Sequence, residues 1–182
     1  NNQGGGLSIY VRETIKHNVR KNMSQTVDNI LEGVTIDLSI DKQKNIEGSC
    51  MYRTAGTNIV TFIEHISEIS NFVNKNKSYY VCEDFNIDLL KHETNSSTRD
   101  FLDNLFSLGL YPLIVKPSRI TTHSNTLIDN IFTNNLSDSS HSGLLINDIT
   151  DHLPVFTFTD KPLKHNYSEK HFSFTRTVNE NS

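Results

Sequence analysis

Residues 78–90 read SYYVCEDFNIDLL. The apolar run Tyr79 to Cys82 predicts a buried strand, and it leads directly into Asp84, Phe85, Asn86, Ile87 and Asp88. With a side-chain period of two, Asp84 and Asn86 point the same way, while Phe85 and Ile87 turn back into packing. A strand that ends in polar side chains delivers them to the rim of a sheet, where α/β proteins usually keep their chemistry. The other reading is an Asx-rich turn after a core strand, because Asp and Asn favour turns in any protein. This stretch alone does not separate the two.

Upstream, Val60, Ile63, Ile66, Ile69 and Val73 recur at helical spacing and predict a helix over 58–74, with Glu64, His65 and Glu68 outside. Downstream, Ser97 with Asp100 three residues on marks a second helix start, Phe101, Leu102, Leu105 and Phe106 form its core face, and Gly109 caps its end. Strands are predicted at 7–11 (LSIYV), 34–40 (VTIDLSI), 49–53 (SCMYR), 127–133 (LIDNIFT), 143–146 and 155–158. Strands mixed with two clear helices predict an α/β sandwich with mixed sheets; a repeated βαβ wheel fits less well. The Gly4-Gly5-Gly6 run precedes a strand and lacks the Lys-Ser/Thr of a phosphate loop, so it reads as a turn.

The length, 182 residues and 20.7 kDa, suits one domain with a workable core. Domain limits are predicted at 1–159, with a polar tail or linker over 160–182. No stretch approaches the roughly 20 apolar residues that span a bilayer, and there is no signal-peptide pattern. The expectation is therefore an intracellular protein, nuclear or cytoplasmic, not secreted and without membrane partners. The chain does not begin with Met, which suggests a piece cut from something longer or an incomplete gene product. Cys50 and Cys82 both fall in predicted strands, and neither a disulfide framework nor a zinc spacing is present. The net charge of −4 is uneven, with each end at +2 and residues 31–160 carrying 9 basic against 17 acidic groups. A broad nucleic-acid binder is normally basic. The acidic middle fits a metal-dependent site or an ordinary solvated surface equally well.

Three polar groups stand at predicted strand ends: Asp84 with Asn86, Asp129, and Asp151 with His152. Aspartates from separate strands at one sheet edge suit a hard divalent cation, which takes oxygen ligands. A neighbouring His held in one tautomer by an Asp can contact a phosphate. These are the parts of metal-assisted phosphodiester hydrolysis. A calcium loop is excluded, although Asp84, Asn86 and Asp88 imitate its first three ligands. Its sixth position would be Leu89 instead of Gly, and its twelfth Asn95 instead of Glu.

The runs EDFNIDLL, SRITTHSNTLIDNIFTN and TDHLPVF, in this order, resemble the endonuclease/exonuclease/phosphatase domain, and most of all the endonuclease of non-LTR retrotransposons. GGGLSIYVR and the MYR at 51–53 match that subgroup's earlier strands, so the resemblance covers residues 4–158. It implies a DNase I-like, four-layer α/β sandwich with two mixed β-sheets, incomplete at its N-terminus. It implies a magnesium- or manganese-dependent endonuclease that nicks DNA, with a reverse transcriptase following in the parent element. In the roles that carry over, Asp84 activates or orients the attacking water and Asn86 holds it or the scissile phosphate. Asp151 approaches the metal, and Asp129 pairs with His152, which contacts the phosphate. Tyr52 also contacts the phosphate.

Two departures bear on activity. The family's early strands carry an Asn and a metal-binding Glu, and this chain starts after that point. Glu13 comes too late to replace the Glu, and Glu32 and Glu47 are predicted in turns. Glu83 also stands where the family has Gly, on the strand face opposite Asp84, where its charge would be buried. The alternative function is accordingly a catalytically inactive, truncated remnant with at most weak nucleic-acid binding.

Overall fold

The computed structural model describes residues 6–40, 45–136 and 140–159. Strand β5 (Ser78–Asp84) is the hub of a mixed seven-stranded sheet. Before it come β1 (Lys16–Val19), β2 (Gln25–Val27), β3 (Leu31–Ser39), β4 (Asn45–Arg53) and helix α1 (Ile59–Ser70). After it come helix α2 (Ser96–Ser107), β6 (Tyr111–Pro112), β7 (Arg119–Ile120), β8 (Asn125–Thr126), β9 (Asp129–Thr133), β10 (Ser140–Leu144) and β11 (Val155–Thr159). The sheet order is β1-β3-β4-β5-β9-β6, with β2 also on β3; β7–β8 and β10–β11 form separate two-stranded ribbons. β5 runs parallel to β4 and antiparallel to β9. Tyr79, Tyr80 and Val81 are all buried, because both faces of the sheet are covered there.

One face packs under the two helices. Met51, Tyr79, Val81 and Phe132 from the sheet meet Phe62, Ile66 and Ile69 of α1 and Phe101, Leu102 and Leu105 of α2. Phe85 sits among Phe62, Phe101 and Phe132 with ring centroids 5.1–6.4 Å apart, mostly edge-on or tilted. Asn58 caps α1 through Val60 N–H, and Asn95 caps α2 through Thr98 N–H. The second cap is therefore Asn95 and not Ser97, which lies inside the helix. Gly109, at φ +73°, ends α2 in a Schellman arrangement, with Leu110 N–H on Leu105 O and Gly109 N–H on Phe106 O. The opposite face carries Ile46, Tyr80 and Ile131, with Val155 of the β10–β11 ribbon packed on it. Helices, mixed sheet and ribbon thus stack as layers of the expected α/β sandwich.

Several predicted elements move. Residues 7–11 form no strand, and the first strand is the fully exposed, polar β1. An edge strand needs only backbone partners, which Lys16 to Val19 find opposite Ser39 to Ile36. Glu32 and Glu47 are strand residues of β3 and β4, not turn residues. The 143–146 strand is β10, which ends at Leu144 because Leu144 pairs with Val155 at the start of β11. The predicted 160–182 tail lies outside the described residues, as do Gly4 and Gly5.

Candidate active site

β5 ends at Asp84, and its register places the site. Tyr52 of β4 lies opposite Asp84, and Asp84 lies opposite Asp129 of β9. Register partners share a face, so these three side chains form a row across the end of the sheet, away from the helices. Glu32 of β3 lies opposite Tyr52 and extends the same row.

The turn after Asp84 departs from strand alternation. Asn86 is left-handed, at φ +49°, a conformation Asn tolerates better than most residues. Its N–H donates to Asp84 Oδ1 at 3.0 Å, and its side-chain amide donates to Arg53 O at 2.9 Å. The Asx turn and the functional reading therefore coexist: Asn86 reaches Asp84 through its backbone. Phe85 and Leu89 N–H groups donate to Ile128 and Leu127 carbonyls, both at 2.9 Å. Asp88 Oδ1 accepts from Leu127 N–H at 3.0 Å, so this third carboxylate stitches the turn to the approach of β9. Arg53, buried over the Phe62 ring, donates from Nη1 to the carbonyls of Phe85 and Asn86, both at 3.2 Å.

His152 arrives on the loop before β11. Its Nδ1 lies 3.0 Å from Asp129 Oδ2 and 3.2 Å from Oδ1. A carboxylate only accepts, so Nδ1 carries the proton and Nε2 is the nitrogen left for other work. Asp84, Asp129 and His152 each offer one ligand atom within 4.8 Å of the others. Burial raises the pKa of Asp84, and the charge of Asp129 adds to this, while the Asn86 N–H bond, His152 and Arg119 pull it down. Ser118, at 0% exposure, donates its hydroxyl to Asp129 Oδ2 at 2.9 Å and accepts from the N–H groups of Asp129 and Ile128.

Asp151 is not brought into this group. Arg119 Nε holds its carboxylate at 2.7 Å on the surface, and that bond keeps the Asp151 pKa below the usual range. Glu83 takes the face opposite Asp84, in register with Met51 and Asn130. It is 5% exposed, and neither oxygen has a hydrogen-bond partner. Burial pushes its pKa well above the carboxylate range, Asp84 pushes it further, and Arg53 pulls against both. The sequence passes over Arg53, Ser118 and Arg119 as site residues. Their only local signal is position, Arg53 beside Tyr52 and Ser118-Arg119 at the head of the run that ends in Asp129.

No family sequence model and no curated protein sequence matches the chain. Solved structures do. The endonuclease domain of TRAS1, a telomere-specific non-LTR retrotransposon, superposes with a TM-score of 0.63 at 18% identity, over 80% of this chain and 68% of that one. An endonuclease/exonuclease/phosphatase family protein from Leptotrichia buccalis gives 0.50 at 18% identity, over 69% and 51%. An endonuclease/exonuclease/phosphatase from Beutenbergia cavernae gives 0.51 at 13% identity, over 70% and 38%. The chain thus spans about half or less of the two bacterial structures. At these identities the likeness is one of fold, and the fold of this chain is that of the endonuclease/exonuclease/phosphatase proteins.

Proposed function

We propose that the chain is a phosphodiesterase domain that nicks DNA with the help of a divalent cation, of the kind found in non-LTR retrotransposons. The observation that carries this reading is the meeting of Asp84, Asp129 and His152, from positions far apart in the chain, at one end of the sheet. The likeness to the TRAS1 endonuclease domain supports the choice of substrate.

Asp84, fixed at the end of β5 by the Asn86 N–H, would activate or orient the attacking water. Asn86 fixes Asp84 by its backbone N–H, and from there would hold the attacking water or the scissile phosphate. Asp129 holds His152 in the Nδ1–H tautomer. With Nδ1 held by Asp129, His152 would contact the phosphate through Nε2, on the side where negative charge builds in the transition state. Tyr52, half-buried beside Asp84, would offer its hydroxyl to the same phosphate.

The donor set fits a hard cation, Mg²⁺ or Mn²⁺: two carboxylates within ligand reach, whose mutual repulsion a cation would relieve. Asp84 and Asp129 would hold it, and Asp151 would join on leaving Arg119. When bound, the ion supplies a Lewis acid for the phosphate and lowers the pKa of water.

The test is nicking of supercoiled plasmid by residues 1–182, with Mg²⁺, with EDTA, and with the Asp84→Ala and His152→Ala variants. Nicking that needs the metal and disappears in both variants is the expected result. Wild-type protein that nicks no faster than the variants overturns the proposal and leaves the inactive remnant.

A further inference from the structure

Asp129 and His152 come from two segments that share no ladder with each other, so something must hold them in register. Segment 118–120 touches both. The Ser118 hydroxyl is fixed by three bonds, accepting from Ile128 and Asp129 N–H at 3.1 and 2.8 Å and donating to Asp129 Oδ2 at 2.9 Å. The Ser118 carbonyl accepts from Leu153 N–H at 2.6 Å, and Ile120 N–H donates to Asp151 O at 2.8 Å. Arg119 bridges to His152 through its backbone, while its side chain holds Asp151. The three residues thus grip the His152 loop from both sides while the Ser118 hydroxyl sets the Asp129 carboxylate.

We infer that Ser118 and Arg119 are positioning residues that clasp the Asp129–His152 pair: Ser118 orients the carboxylate, and Arg119 anchors the loop that carries the imidazole. This rests on the hydrolytic reading above for its kinetic consequence, but not for its structural one. With its hydroxyl donor removed, Asp129 Oδ2 is free to rotate away from Nδ1, and the tautomer of His152 is no longer dictated. Arg119 uses only Nε on Asp151, so its role is to fix the loop and not to neutralise a buried charge.

The experiment records imidazole ¹⁵N shifts of His152 in the full chain, for wild type and for Ser118→Ala, Ser118→Thr and Arg119→Gln. Plasmid nicking is measured on the same samples. Wild type and Ser118→Thr should show the Nδ1–H tautomer. Ser118→Ala should show mixed tautomers, with turnover down by roughly tenfold to a hundredfold and KM unchanged, as for other residues that orient a working ligand. Arg119→Gln should shift the His152 signals in the same direction by less. Unchanged His152 shifts in Ser118→Ala overturn the inference whether or not the protein nicks. Altered shifts in a protein that does not nick uphold the clasp and sink the hydrolytic reading alone. Should Ser118→Ala fail to fold, unchanged shifts in Arg119→Gln, whose side chain is exposed, overturn the inference.

Discussion

Two glutamates are buried on the helix-covered face of the same sheet, and they meet opposite conditions. Glu47, at 0% exposure, receives Arg20 and Lys77 and accepts from Asn74 N–H at 3.1 Å. Arg20 and Lys77 also reach Asp37, Lys77 at 2.7 Å, so two cations and two carboxylates close a network over one end of the sheet. Glu83, four residues' width along and one strand over, has no hydrogen-bond partner for either oxygen. Burial of a carboxyl is tolerable when ligands replace the lost water, and costly when none do. Glu47 is held as part of the architecture. Glu83 has no hydrogen-bond partner, and only the charge of Arg53 offsets its burial.

The largest expected effect breaks the compensated partner. Glu47→Ala should cost about 3 kcal/mol or more in urea unfolding at neutral pH, since it removes the buried member of a network and leaves Arg20 and Lys77 facing the gap. A loss below about 1 kcal/mol would show that the network is incidental. The opposite sign is expected for Glu83→Met, which keeps the volume and removes the unpartnered carboxyl. That variant should gain about 1–3 kcal/mol, and a net loss would mean that Glu83 has a partner in solution.

The pH dependence sharpens the contrast. Because the folded-state pKa of Glu83 is raised, the folded chain binds its proton more tightly than the unfolded chain does. The stability tied to that proton is fully present below the ordinary Glu pKa and is lost as pH rises through the raised folded value. Wild-type unfolding free energy should therefore decline from weakly acidic pH upward, and Glu83→Met should flatten that decline. Equal slopes in the two proteins would remove Glu83 from the account. The smallest effect is Lys77→Met, expected to cost about 1 kcal/mol or less, because Lys77 is partly solvated and Arg20 stays in place.

How much of this was legible in the sequence divides along the range of the forces. β5, α1 and the end of α2 follow from local periodicity and a C-terminal glycine, and the ordered motifs single out Asp84, Asp129 and His152, which the fold brings together. The burial of Glu83 opposite Asp84 follows from strand alternation. What escaped depends on distant partners. β1 has no apolar signal, since only β3 makes it a strand. Glu47 looks like a turn residue until Arg20 and Lys77 are brought to it. Asn86 obeys its own side chain and Arg53 and not the strand period, and Asp151 faces Arg119 because the 118–120 segment folds back on the His152 loop.

The stitching of the 84–89 turn to Ile128 and Leu127 has a kinetic consequence. β3 and β4 pair across a short separation, with Ser39 opposite Asn45, but β5 finds β9 only across a long one, with Tyr80 opposite Thr133. Closing such a loop is entropically slower than local pairing. Asp84 therefore has its neighbours only after β9 docks, and His152 only after the chain beyond β10 returns. A refolding chain should regain helix and the β3–β4 pair first and assemble the acidic row last.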